Sequence, residues 1–99
     1  MDNLILKNNK ESDKKRFEFE VEGKTAFMEY ILTNDGIYLV HTEVPHSLEG
    51  HGLGTKLVEL VLEYVEKKGL KLIPLCPFVA AYLKKHPEKH FLIKEGYRV

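Results

Sequence analysis

The residues best suited to chemistry lie in Glu49-Gly50-His51-Gly52-Leu53-Gly54-Thr55, which joins an apolar β-branched run to the start of an amphipathic segment. Glycines let the backbone approach a ligand closely. First-turn N–H groups of a helix lack intrahelical partners and lie at the positive end of its dipole, so they attract phosphate. Two familiar phosphate loops are excluded: no Gly-Lys-Ser/Thr closes the segment, and Thr55 stands where the third glycine of a dinucleotide fingerprint belongs. On chemistry alone, a phosphate cradle and a plain glycine-rich turn at a helix start both stay open.

Other side chains are of reactive types. Pro77 holds Cys76 extended and opens a helix, so Cys76 falls at the N-cap, where the dipole favours an anion. It reads either as a site residue or as a small buried residue beneath the helix. His41 and Glu43 stand two apart on a predicted strand and so share a face; each is a reactive group or an ordinary strand-end polar residue. Tyr82 has helical spacing with Phe78 and Val79, as a core residue would. The five histidines, His41, His46, His51, His86 and His90, form no His-Glu-x-x-His pattern, and Pro87 interrupts the pair His86 and His90. No metal site is expected.

These groups must be positioned by a single small domain, since 99 residues cannot support a second independent core. A two-domain cofactor-plus-substrate enzyme is excluded. Lys+Arg 15 balance Asp+Glu 15, leaving no cationic excess for nucleic acid or an anionic membrane, so neither is expected as a partner. Cys76 is the only cysteine, so no intrachain disulfide can form and a reducing compartment fits. The beginning, MDNLILKNNKESDKKRFEF, lacks the basic and apolar regions of a signal peptide, and no apolar stretch approaches about 18 residues. The expectation is a soluble, cytoplasmic chain.

Leu4-Ile5-Leu6 reads as a first strand, followed by an exposed polar hairpin loop over 8–15. Phe17-Glu18-Phe19-Glu20-Val21 alternates strictly, the period of a strand with one wet face. Glu22-Gly23-Lys24 forms a tight turn. Strands over 25–33 and 37–44 are joined by Asn34-Asp35-Gly36, a hairpin signal. After Pro45 the period lengthens: Leu53, Leu57, Leu60, Val61, Tyr64 and Val65 share a helix face over about 52–68, and Gly69 suits its C-cap. The run 70–75 returns as a strand, parallel to the one ending at Val44 because a crossover intervenes. A second helix runs from Phe78 to about Lys85, stopped by Pro87. The tail from His90 matches no single pattern. The order is β-β-β-β-α-β-α: an α+β fold, an antiparallel meander feeding one β-α-β crossover.

The stretch His41 to Glu88, HTEVPHSLEGHGLGTKLVELVLEYVEKKGLKLIPLCPFVAAYLKKHPE, resembles the small members of the GNAT superfamily of acyl-CoA N-acyltransferases. HTEVP, the glycine loop and PLCPFVAAY occur together in the family's order. The cofactor motif Gln/Arg-x-x-Gly-x-Gly/Ala is represented by Glu49-Gly50-His51-Gly52-Leu53-Gly54, with Glu49 departing from it and bringing a negative charge toward a pyrophosphate.

The resemblance implies a minimal GNAT-like fold over 1–99, with acetyl-CoA as cosubstrate and no metal. Backbone amides around His51 to Thr55 would hold the pyrophosphate, and the pantetheine arm would lie where strands 37–44 and 70–75 splay apart. Backbone N–H groups near Thr42 to Val44 would polarise the thioester carbonyl, with Cys76 and Phe78 beside the arm. Amine acylation needs a base for an ammonium of pKa about 10.4 and donors for the oxyanion. Glu43 is the first candidate base and His41 the second. Cys76 is a lining group or an acyl-accepting nucleophile, Tyr82 a proton donor to the CoA thiolate or a core tyrosine. Lys84, Lys85 and Lys89 would touch the 3′-phosphate or simply be a solvated helix end.

The expected function is acetyl transfer from acetyl-CoA to a primary amine, on a small molecule or a protein, by a monomer or weak dimer. The short segment 8–15 leaves no room for the helix pair that usually covers the family's acceptor side, so the acceptor site should be open. The alternatives are an acyl-CoA-binding or sensing module without catalysis and, further off, a protein-interaction domain whose glycine loop is only a turn.

Overall fold

The computed structural model describes residues 4–10 and 15–99. Strands β1 (Lys7–Asn9), β2 (Lys15–Val21), β3 (Lys24–Thr33), β4 (Gly36–Glu43) and β5 (Leu72–Pro74) form one sheet in chain order. Helix α1 (Leu53–Lys67) bridges β4 to β5, and α2 (Pro77–Lys84) follows β5. Short 3-10 turns lie at His46–Leu48 and Pro87–Leu92. The meander is antiparallel, and β4 and β5 run parallel. This is the mixed α+β arrangement expected of a minimal GNAT fold.

Alternation decides the faces. Phe17, Phe19 and Val21 of β2 lie opposite Met28, Ala26 and Lys24 of β3, and all but Lys24 are buried beneath α1. Helix α1 answers with Leu53, Leu57, Val58, Val61, Leu62 and Val65. Burying such side chains contributes roughly 1.5–3 kcal/mol each, so this contact dominates the stability of so small a chain. At its end Gly69 (φ +66) adopts the left-handed conformation, while Leu70 N–H reaches Val65 O at 3.0 Å and Gly69 N–H reaches Glu66 O at 3.1 Å. That doubly bonded glycine terminus stops the helix as the sequence suggests.

The hairpin between β3 and β4 is tighter than expected. Thr33 pairs directly with Gly36, so the turn is Asn34-Asp35 alone and Gly36 is already a strand residue. Its φ of +150, and the Lys71 carbonyl oxygen 2.6 Å from where a Cβ would stand, both exclude a side chain.

The first strand differs from the expectation. It is Lys7–Asn9 rather than 4–6, so Asn8, Asn9 and Lys15, expected in a loop, are strand residues; residues 11–14 lie outside those described. The cause is polar. Asn8 lies opposite Phe17, accepts a hydrogen bond from the Tyr30 hydroxyl at 2.5 Å and offers its amide to the Tyr64 hydroxyl at 3.3 Å. Two tyrosine hydroxyls at the core's edge select an asparagine there, and Leu4 and Leu6 merely pack against the core.

The parallel pair is short: Ile37, Tyr38 and Leu39 face Leu72, Ile73 and Pro74. Pro74 has no N–H, and the last tie is Cys76 N–H to Leu39 O at 2.8 Å. Beyond Leu39 the far half of β4 has no β5 partner. On its other edge Tyr30 pairs with Leu39 but Glu29 with His41, making Val40 an extra residue, a β-bulge. The tail reaches back to β5, where Ile93 bridges Leu72 and Lys94 N–H bonds Leu72 O at 2.8 Å. Among the described residues no helix is long and apolar enough to cross a membrane.

Candidate functional site

Where β4 and β5 part, a cleft of about 440 Å³ opens. The end of β4 gives it Thr42 and Val44, the first 3-10 turn Leu48, the glycine loop Glu49, Gly50 and Gly52, the first turn of α1 Leu53, Gly54 and Thr55, and α2 Phe78.

Each glycine of the loop has its own reason. Gly50 (φ +85) and Gly52 (φ +70) are left-handed, with nothing within 4 Å of a would-be Cβ, so the backbone turn requires them. Gly54 is ordinary helix, but its Cβ would stand 2.7 Å from Phe78 Cζ; here glycine makes room for the ring. The first backbone bond of α1 runs from Lys56 N–H to Gly52 O at 3.0 Å, and Gly52 has no side chain to cap with. The N–H groups of Leu53, Gly54 and Thr55 therefore stand outside the helical ladder beside the cleft. The Glu49 carboxylate meets the exposed His46 ring, Oε2 to Nδ1, at 3.2 Å. The neighbouring Ser47 hydroxyl accepts a hydrogen bond from the Lys24 ammonium at 2.6 Å, which ties the β2–β3 turn to the lip of the cleft.

The bulge at Val40 sets which β4 side chains see the cleft. Without it His41 and Glu43 would share the inward face of Ile37 and Leu39. With it Thr42 and Val44 turn toward the cleft, while His41 and Glu43 stand on the opposite sheet face, 52% and 60% exposed, with Nε2 and Oε1 3.7 Å apart. Thr42 Oγ1 touches Cys76 Sγ at 3.2 Å. Cys76, at the N-cap of α2, is 2% exposed and makes no side-chain cap bond.

The expected site residues therefore separate into groups. Thr42, Val44, Glu49, Gly50, Gly52, Leu53, Gly54, Thr55 and Phe78 converge on one cleft, with Cys76 packed against Thr42. His51 lies in the loop but is exposed and outside the lining. Tyr82 is elsewhere, stacked on His86 at 4.1 Å and lining a groove between the helices with Lys56, Glu59, Glu63 and Lys89. Burial first, then the nearby Glu59 and Glu88, raise its pKa. Leu48 is a lining residue the motifs miss; its signal is one apolar residue between Pro45 and Gly50 in an otherwise polar stretch. Among the described residues no group of three or more His, Cys, Asp or Glu could hold a metal.

The meander thus parts from its parallel neighbour beside an uncapped, glycine-lined helix start. Residues 16–92 match the family model described as GCN5-related N-acetyl-transferase, and the chain belongs to that family.

Proposed function

We propose that the protein transfers an acetyl group from acetyl-CoA to a primary amine. The observation that carries this reading is the set of free N–H groups of Leu53, Gly54 and Thr55 beside a cleft that opens where β5 stops pairing with β4. Such donors suit a pyrophosphate. Val44, Leu48, Leu53 and Phe78 give the cleft apolar walls suited to the pantetheine arm. Beyond Leu39 the edge of β4 that faces β5 is unpaired, so an N–H on that edge between Thr42 and Val44 would be offered to the thioester carbonyl and stabilise the oxyanion. Glu49 lines the cleft, so backbone donors rather than this side chain would hold the pyrophosphate.

In the proposed reaction the amine, deprotonated by the exposed Glu43 with His41 beside it, attacks the thioester carbon from the open face of the sheet. The C–N bond forms, the C–S bond breaks, and the CoA thiolate leaves and takes a proton. Direct attack suits the surroundings of Cys76 better than an acyl-cysteine, since its sulfur is buried and occupied by Thr42. Tyr82 has no part in this scheme.

One observation favours the rival reading of a binding module without catalysis: His41 and Glu43 face away from the cleft lining. Acetyl-CoA turnover over a panel of amines separates the two. Transfer that falls about 100-fold in Glu43→Gln and persists in Cys76→Ala supports direct catalysis. Saturable amide shifts at residues 50–55 without transfer to any amine would establish the module.

A further inference from the structure

A CoA thiolate leaving beside apolar walls needs a proton more than one leaving into water, because a charge is costly there. Among the described residues that line the cleft, the side chains able to give one are Thr42, Glu49 and Thr55. Glu49 and Thr55 belong to the glycine loop and the start of α1, the end suited to the pyrophosphate. Tyr82 lines a different groove, and His41 and Glu43 stand on the opposite sheet face. Thr42 remains, on the stretch of β4 whose edge toward β5 is free for the thioester carbonyl. A sulfur bonded to that carbonyl carbon comes within reach of the Thr42 hydroxyl.

Thr42 has a second acid behind it. Its Oγ1 meets Cys76 Sγ at 3.2 Å, and Cys76 is 2% exposed, outside the cleft lining. Two features fix the pair: Cys76 N–H bonds Leu39 O at 2.8 Å, where β4 and β5 part, and Pro77 opens α2 immediately after. The cysteine makes no side-chain cap bond to α2, so its sulfur is left to Thr42. Negative charge on that sulfur would lie at the positive end of the α2 dipole.

We propose, on the acetyl-transfer reading above, that the Thr42 hydroxyl hands its proton to the departing CoA thiolate and takes another from the Cys76 thiol. A hydroxyl both donates and accepts, as a relay must. The C–S bond breaks with its electron pair on the CoA sulfur, an S–H bond forms there, and Thr42 exchanges one O–H bond for another. Cys76 is left as thiolate until water returns a proton to it through Thr42 once CoA has gone. From end to end the proton passes between two thiols, so the transfer is closely matched in acidity. Thr42 touches the reacting sulfur; Cys76 acts only through Thr42.

The test uses the whole chain, acetyl-CoA and the fastest amine of the panel, with CoA affinity measured by calorimetry and folding by thermal melts. Thr42→Val keeps the side-chain shape and removes the proton. It should lower kcat about tenfold, less than proton transfer usually contributes because a thiolate leaves readily, with the KM for acetyl-CoA and the CoA affinity unchanged. Thr42→Ser should regain most of the rate. Cys76→Ser keeps a hydrogen-bond partner for Thr42 but not an acidic proton; it should fall as far as Thr42→Val, and the double variant no further. A wild-type rate in Thr42→Val or Cys76→Ser overturns the inference, as do additive losses in the double variant, an equal loss of CoA affinity, or an acetyl adduct on Cys76 in mass spectrometry; acetyl transfer then still stands. If CoA binds but no amine of the panel is acetylated, both fall.

Discussion

Gly54 shows how a single missing Cβ can serve a site without serving the backbone. Its dihedrals suit any residue, so Gly54→Ala gains about 1 kcal/mol of helix propensity, against roughly 1 kcal/mol or more for displacing the Phe78 ring 2.7 Å away. Because Phe78 is 44% exposed and free to swing, the two nearly cancel. We expect an almost unchanged melting temperature but weaker CoA binding; thermal melts and calorimetry check both. Tyr30 gives a pH prediction. Burial raises its pKa from 10.0. The unfolded chain therefore ionises first, and the stability Tyr30 contributes, complete below pH 10.0, is lost as pH rises through the folded-state value. Tyr30→Phe should cost about 1 kcal/mol at neutral pH by breaking the bond to Asn8, yet show a flatter alkaline loss in denaturant titrations.

Among the elements, β4 holds the feature that a linear reading of the sequence does not contain. The alternation of Ile37 through Glu43 correctly puts His41 and Glu43 on one face, but which face depends on Val40, where two residues of β4 oppose one step of β3. Nothing in Tyr-Leu-Val-His marks a bulge; it arises from pairing with a neighbouring strand. Deleting Val40 should remove the bulge and let Leu39 and His41 pair regularly with Tyr30 and Glu29, leaving His41 and Glu43 outward and Thr42 inward. The expected outcome is a stability change of no more than about 1 kcal/mol, read by denaturant unfolding, with amide protection around Thr42 retained. The long helix was legible because its apolar spacing and Gly69 agree, and the glycine loop because its residues are adjacent. The first strand was not, because Asn8 is chosen by the hydroxyls of Tyr30 and Tyr64, the latter 56 positions away.

For the molecule as a whole, the same distinction separates cleft from catalysis. Local signals placed nine of the expected residues in one cavity, since a strand end, a loop and two helix starts follow one another closely in the chain. Of its two readings Tyr82 takes the core one, packed against the core's edge in the groove with Lys56 and Lys89, because helical spacing gives its neighbours on α2 but not the side on which α2 meets α1.

The contact between Lys24 and Ser47 joins parts of the fold 23 positions apart: the tip of the second hairpin and the rim from which a nucleotide would enter. It works like a latch on a door frame, outside the room but controlling how far the jamb can flex. Lys24→Met should leave the interior intact while deuterium uptake quickens over 45–50, since an exposed contact of this kind is worth no more than about 1 kcal/mol. Acylation of that amine would remove the charge at the latch and loosen the entrance.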